Sequence, residues 1–99
     1  MKIMIENGNP VVARLQGRLD TAAAVEVAPD FQKLNDYAKG HLVLECRDLE
    51  YISSSGLRLL LALRKQVATD GGKLQIRNIS NDIRQVFMMT GFISLFEIV

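Results

Sequence analysis

Polar and apolar residues alternate along Lys2–Glu6 (KIMIE), a period of two that predicts a half-buried strand. Asn7-Gly8-Asn9-Pro10 supplies turn formers, and Val11–Gly17 (VVARLQG) alternates again, so the first segment reads as a β-hairpin. From Asp20 to Lys39 the period changes. Val27, Phe31, Leu34 and Ala38, spaced four, three and four apart, line one face of a helix that Asp20 or Thr21 can cap and Gly40 ends. Pro29 lies inside this stretch, so either the helix kinks there or its first turn is irregular.

His41–Cys46 (HLVLEC) reads as a buried strand reached by a crossover, and Arg47–Ser55 (RDLEYISSS) as a polar connection. In Gly56–Thr69, Leu57, Leu60, Leu61, Leu63 and Val67 cover more than half of a helix, which leaves Arg58, Arg64 and Lys65 for water. Asp70-Gly71-Gly72 closes it. Lys73–Arg77 alternates as a strand, Ser80–Met89 reads as a helix from a Ser or Asn cap, and Ser94–Val99 as a last strand. The order is ββαβαβαβ. Strands alternating with helices predict an α/β fold with a mixed, largely parallel sheet, the hairpin adding an antiparallel strand.

Composition narrows the class. The chain has 99 residues, 48% of them hydrophobic, with 12 Lys+Arg against 11 Asp+Glu and a net charge of +1. A chain of this length buries roughly two-thirds of its unfolded surface, enough for one domain over residues 1–99 without metal or disulfide. The near-neutral balance and the absence of a basic run argue against nucleic-acid or anionic-membrane partners. Cys46 and His41 together fall short of a metal site, no cofactor motif occurs, and a lone cysteine fits a reducing cytoplasm. The first residues lack the apolar stretch of a secretory leader, and no apolar run reaches the ~18 residues of a membrane span.

The catalytic inventory is thin: one histidine, one cysteine, scattered carboxylates and no HExxH, CxxC, GxSxG or P-loop pattern, so no enzyme is expected. The unusual local feature is Ser53-Ser54-Ser55-Gly56, immediately before the most apolar helix. One reading makes it a redundant N-cap with a glycine easing the turn. The other sets the serines beyond the carboxyl edge of a parallel strand, where open α/β sheets bind ligands and a helix N-terminus favours negative charge. A phosphoryl group there would add about −1.5 to −2 charges to a partner-binding face.

The run Leu49-Glu50-Tyr51-Ile52-Ser53-Ser54-Ser55-Gly56-Leu57 resembles the D-L-x-x-[apolar]-D-S-S-G-L signature of the anti-sigma factor antagonists, the STAS domain family. Arg14-Leu15-Gln16-Gly17-Arg18-Leu19-Asp20 resembles the family's R-L-x-G-x-[LI]-D strand end. Ile79-Ser80 through Phe87-Met88-Met89-Thr90-Gly91-Phe92 resembles its I-S-x-x-[VI]-x-x-[LF]-[FL]-x-x-[ST]-G-[LF] segment. The ordered set spans about nine-tenths of the chain.

The resemblance implies a SpoIIAA-like STAS fold and a bacterial, cytoplasmic transcription regulator. Such a protein binds an anti-sigma factor serine kinase, frees a sigma factor, and is switched off when the kinase phosphorylates it. The target serine falls on Ser54, with Ser55 second. Asp20, Ser53, Ser54, Ser55, Gly56 and Arg58 form the expected partner surface, although Asp20 also fits an ordinary N-cap and Arg58 either a solvated face or a residue steering an acidic partner. Neither nucleic acid nor membrane is an expected partner; weak nucleotide binding and a monomer or weak dimer are compatible with this reading. The alternative is a STAS scaffold or ligand-binding subunit of a larger signalling or transport complex that is never phosphorylated.

Two features depart from the family pattern: Ser53 stands where the signature has aspartate, and the chain stops at Val99, where relatives commonly continue into a C-terminal helix. Met88, Met89, Phe92, Leu95 and Phe96 are expected in the core, except that adjacent Met88 and Met89 cannot both face inward, so one is left for an adaptable interface.

Overall fold

In a computed structural model describing residues 1–99, the elements are β1 (Lys2–Glu6), β2 (Val11–Leu19), α1 (Thr21–Leu34), β3 (His41–Glu45), β4 (Leu49–Ile52), α2 (Ser54–Asp70), β5 (Lys73–Arg77), α3 (Asn81–Thr90) and β6 (Glu97–Ile98). β1 and β2 form the expected antiparallel hairpin, in which Lys2 pairs with Gln16 and Glu6 with Val12. Every other pairing is parallel, and the six-stranded sheet runs β1-β2-β3-β5-β6 with β4 beside β2.

β4 corrects the expected order to ββαββαβαβ. Leu49–Ile52 falls in the expected polar connection because only Leu49 and Ile52 are buried, a spacing of three that masks the two-residue period of a strand. Its place is set by β2, whose nine residues exceed the reach of β3. Val11–Arg14 pair with Leu42–Glu45, and the remaining edge, Gly17–Leu19, is taken by Leu49–Ile52. The register shifts between Gly17 and Arg18, and Gly17 absorbs the shift with φ +101°, a conformation a Cβ would disfavour.

Two other boundaries moved. The first helix stops at Leu34 and hands over to a 3-10 turn, Asn35–Tyr37, before reaching Lys39. It is helical from Thr21 straight through Pro29, which rules out the irregular first turn. Pro29 and Val25, one turn earlier, both face water, so the carbonyl that loses its helical donor sits on the solvated side. The expected last strand, Ser94–Val99, shrinks to Glu97–Ile98 because Phe92–Ser94 coils into a 3-10 turn.

Strand alternation sorts the sheet into two faces. Ala13, Leu15, Leu42, Leu44 and Ile76 join Val27, Phe31 and Leu34 of α1, Leu57, Leu60, Leu63 and Val67 of α2, and Ile83 and Phe87 of α3 in one apolar cluster. Leu61, also expected there, is only half-buried. The opposite face carries Arg14, His41, Glu45, Gln75 and Arg77 around a buried Val43. Of Met88 and Met89 one was expected outside the core, but both lie there, 60% and 83% exposed. Ile83 and Phe87, four residues apart, define the inner stripe of α3, and both methionines fall outside it. Leu95 is also exposed, whereas Phe96 is buried against Phe87 with ring centroids 5.8 Å apart, and Phe92 is half-buried.

Candidate functional site: two helix starts at the carboxyl edge of the sheet

β2 and β4 end side by side, Leu19 level with Ile52, and the Ser53 amide donates to the Leu19 carbonyl at 2.9 Å. Each strand passes directly into a helix. Asp20 caps α1, its Oδ1 accepting from the Ala23 amide at 2.8 Å, and Ser53 caps α2, its Oγ accepting from the Gly56 amide at 3.1 Å. Two helix N-termini therefore emerge from adjacent strand ends. Neither first turn contains an acidic residue, so the positive ends of both dipoles are opposed only by the half-buried Asp20 carboxylate.

The three serines have separate positions. Ser53 is 8% exposed with its hydroxyl committed to the cap, Ser54 is exposed as the first residue of α2, and Ser55 is half-buried. The cap is thus one residue, not a redundant run. Ser and Asp are near-equivalent N-caps, so Ser53 supplies the capping acceptor that an aspartate would supply at this position. Gly56 is buried where α2 descends onto the strand ends: a Cβ there would lie 2.7 Å from Leu19 Cγ and 2.9 Å from Ile52 Cγ1. The close approach requires glycine. Arg58, one turn on, is exposed.

Asp20, Ser53, Ser54, Ser55 and Gly56 are therefore gathered by one pair of strand ends. The structure adds a pair that motif reading passed over. Arg18 and Tyr51 face each other in register on β2 and β4, with the guanidinium 4.5 Å from the ring centroid, and both are exposed. The signal for it lay in recognising β4 itself.

His41 and Cys46 take no part here. His41 opens β3, at the amino end of the parallel strands, with Nε2 2.6 Å from Gln75 Oε1. Burial pushes the Cys46 thiol up to about 12, with the Glu45 charge adding to the effect, so it is not a thiolate nucleophile at neutral pH. Concave space is scarce. One cavity of about 150 Å³ lies between α1 and α2, lined by Phe31, Leu59 and Leu63, and one of about 230 Å³ lies beside Val67, Leu74 and Phe96. Both are below the ~300 Å³ at which small-molecule pockets begin, and neither is lined by Asp20 or by any residue of Ser53–Gly56. No helix is long and apolar enough to cross a membrane.

A family model described as the STAS domain matches residues 2–99. BtrV of Bordetella bronchiseptica, which bears the name of an anti-sigma factor antagonist, is 33% identical over 88 residues, covering 89% of this chain and 76% of BtrV. Among solved structures, an anti-sigma factor antagonist STAS domain protein from Planctomyces limnophilus superposes with a TM-score of 0.86 at 16% identity, covering 97% of this chain and 87% of that one. The phosphorylated form of the Bacillus cell fate determinant SpoIIAA superposes with a TM-score of 0.71 at 22% identity, covering 99% and 91%.

Proposed function

This chain belongs to the STAS domain family of anti-sigma factor antagonists, regulators rather than enzymes, and from that premise we propose that it docks on an anti-sigma factor serine kinase through the start of α2. Binding occupies the kinase and frees a sigma factor; phosphorylation of Ser54 ends it. The chain does this as one domain over residues 1–99, with Asp20, Ser55, Gly56 and Arg58 around the target serine.

The observation that carries the reading is the division of labour among the serines. Ser53 is buried in the cap, whereas the Ser54 hydroxyl is open to an approaching kinase; Ser55, half-buried, is the second choice. The shape agrees, because an edge that lines neither cavity suits a macromolecular partner better than a small ligand. The occurrence of SpoIIAA in a phosphorylated form supports a modification cycle in this family.

The switch follows from electrostatics. A phosphate on Ser54 meets the positive end of α2, whose first turn holds no acid, so the folded domain tolerates it. In a docked interface the same group must be desolvated and meets any acidic side chain of the partner, and every ~1.4 kcal/mol of that penalty weakens binding tenfold.

The test is incubation with ATP and the serine kinase encoded nearest to it, followed by phosphopeptide mass spectrometry. Phosphate is expected on Ser54, lost in Ser54→Ala. Ser54→Asp should weaken kinase binding about tenfold or more by calorimetry with the circular dichroism spectrum unchanged. Absence of phosphate on both Ser54 and Ser55 would favour the scaffold reading, and unchanged affinity of Ser54→Asp would remove Ser54 from the interface.

A further inference from the structure

The sheet has a free edge at β1, whose only neighbour is β2. Along the other side of its five residues the backbone groups have no strand partner, whereas β6, at the far end of the sheet, offers only two. Natural proteins guard such edges with charge. β1 carries one charge at each end, of opposite sign: Lys2 and Glu6, both exposed, flank Ile3, Met4 and Ile5, and one carboxylate oxygen of Glu6 accepts from Arg14 Nε on β2.

We propose that this edge pairs antiparallel with β1 of a second copy of the chain, about a two-fold axis through Met4. In that register Lys2 faces Glu6 of the second copy and Glu6 faces its Lys2, Ile3 and Ile5 face each other twice, and Met4 faces Met4. The segment KIMIE is complementary to its own reverse. Parallel pairing would set Lys2 on Lys2 and Glu6 on Glu6, which repel. A slip of one residue would send the isoleucines to the wrong face, and a slip of two would strand a charge. Of these registers the one centred on Met4 sets opposite charges on each other at both ends, Glu6 sharing its carboxylate between Arg14 of its own chain and Lys2 of the second copy.

The apolar positions agree with this occupant. Ile3 and Ile5 stand opposite Leu15 and Ala13, both fully buried, yet remain only half-buried themselves, because the edge leaves one flank open. Met4, on the polar face, is 40% exposed and faces water where its counterpart would lie. The dimer would be one continuous twelve-stranded sheet, twice the six strands of one copy. It depends on no feature of the α2 surface, since β4 and α2 lie on the opposite side of β2 from β1.

Sedimentation equilibrium of the whole chain at low ionic strength tests the proposal, with circular dichroism as the control for folding. The wild type should associate to a dimer and no further. Lys2→Glu and Glu6→Lys each convert both cross-strand ion pairs to like charges, and each should raise the dimer dissociation constant about tenfold; Glu6→Lys also removes the ion pair with Arg14 within the chain, so Lys2→Glu, which leaves that pair intact, is the deciding single variant. An equimolar mixture of the two variants restores every pair across a heterodimer and should recover wild-type affinity, as should the double variant. A wild type monomeric at millimolar concentration would overturn the proposal; so would single variants that associate as the wild type does, or a mixture that recovers nothing.

Discussion

Glu45 is the one carboxylate enclosed by the fold, 6% exposed on the polar face of β3. Its two oxygens accept from Asn78 Nδ2 at 3.1 Å each and from Arg77 Nε at 3.1 Å. Asn78 reaches it from φ 59°, a left-handed conformation that asparagine tolerates better than most residues. Burial alone would push the carboxyl up, but the Asn78 and Arg77 hydrogen bonds and the Arg77 charge outweigh it and hold Glu45 below its ordinary value. A carboxyl depressed in the folded state contributes stability that is complete above its unfolded pKa and disappears as pH falls through its folded one. Glu45→Gln should therefore lose about 1–3 kcal/mol in urea unfolding at neutral pH, and the gap to wild type should close in acid. A gap that stays constant with pH would remove the carboxylate from the account. The sequence does not single out this site: Glu45 lies inside an apolar strand, and its partners come from β5, its neighbour in the sheet, and the turn after it.

Among the elements, α2 shows how a helix start is specified from outside the helix. Three consecutive serines left the capping residue open on local grounds, and the sequence pattern began the helix at Gly56. β4 decides it: by running to Ile52 beside Leu19, it fixes Ser53 in extended backbone and starts the helix at Ser54. The hairpin, both long helices and β5 were legible because each has a run of buried positions at its own period. β4 was not, because four residues with two buried positions carry no period to detect, and β6 was legible as a strand but not in its bounds, because the apolar residues before it coil into a 3-10 turn. The element-scale prediction concerns Gly56. Alanine is the better helix former by up to ~1 kcal/mol, but its Cβ would meet Leu19 and Ile52 below 3 Å. Overpacking of ~1–3 kcal/mol should win, so Gly56→Ala should lower the urea midpoint. A raised midpoint would show that the strand ends can give way.

For the whole molecule, charge is the quantity most easily moved. At a net +1, one phosphate contributing about −1.5 to −2 brings the chain to roughly −1, since 1 − 2 = −1. The isoelectric point should then drop from about 7.9 to below neutrality. Native isoelectric focusing of kinase-treated protein should resolve one new acidic band, and none should form with Ser54→Ala. At this scale the fold was most legible: helix and strand alternation announced a largely parallel sheet, and the ordered family motifs announced the family. The positions of the two α3 methionines were lost because adjacent apolar residues give no sign of which way the helix turns them.

The strand order has a consequence for how the chain is made. β2 adds to β1, β3 and then β4 to the open side of β2, β5 to β3, and β6 to β5. No strand has to be inserted between two already paired. As the chain leaves the ribosome from its N-terminus, each new strand finds a finished edge waiting, so the sheet can be laid down in the order of synthesis without reopening any pairing already made.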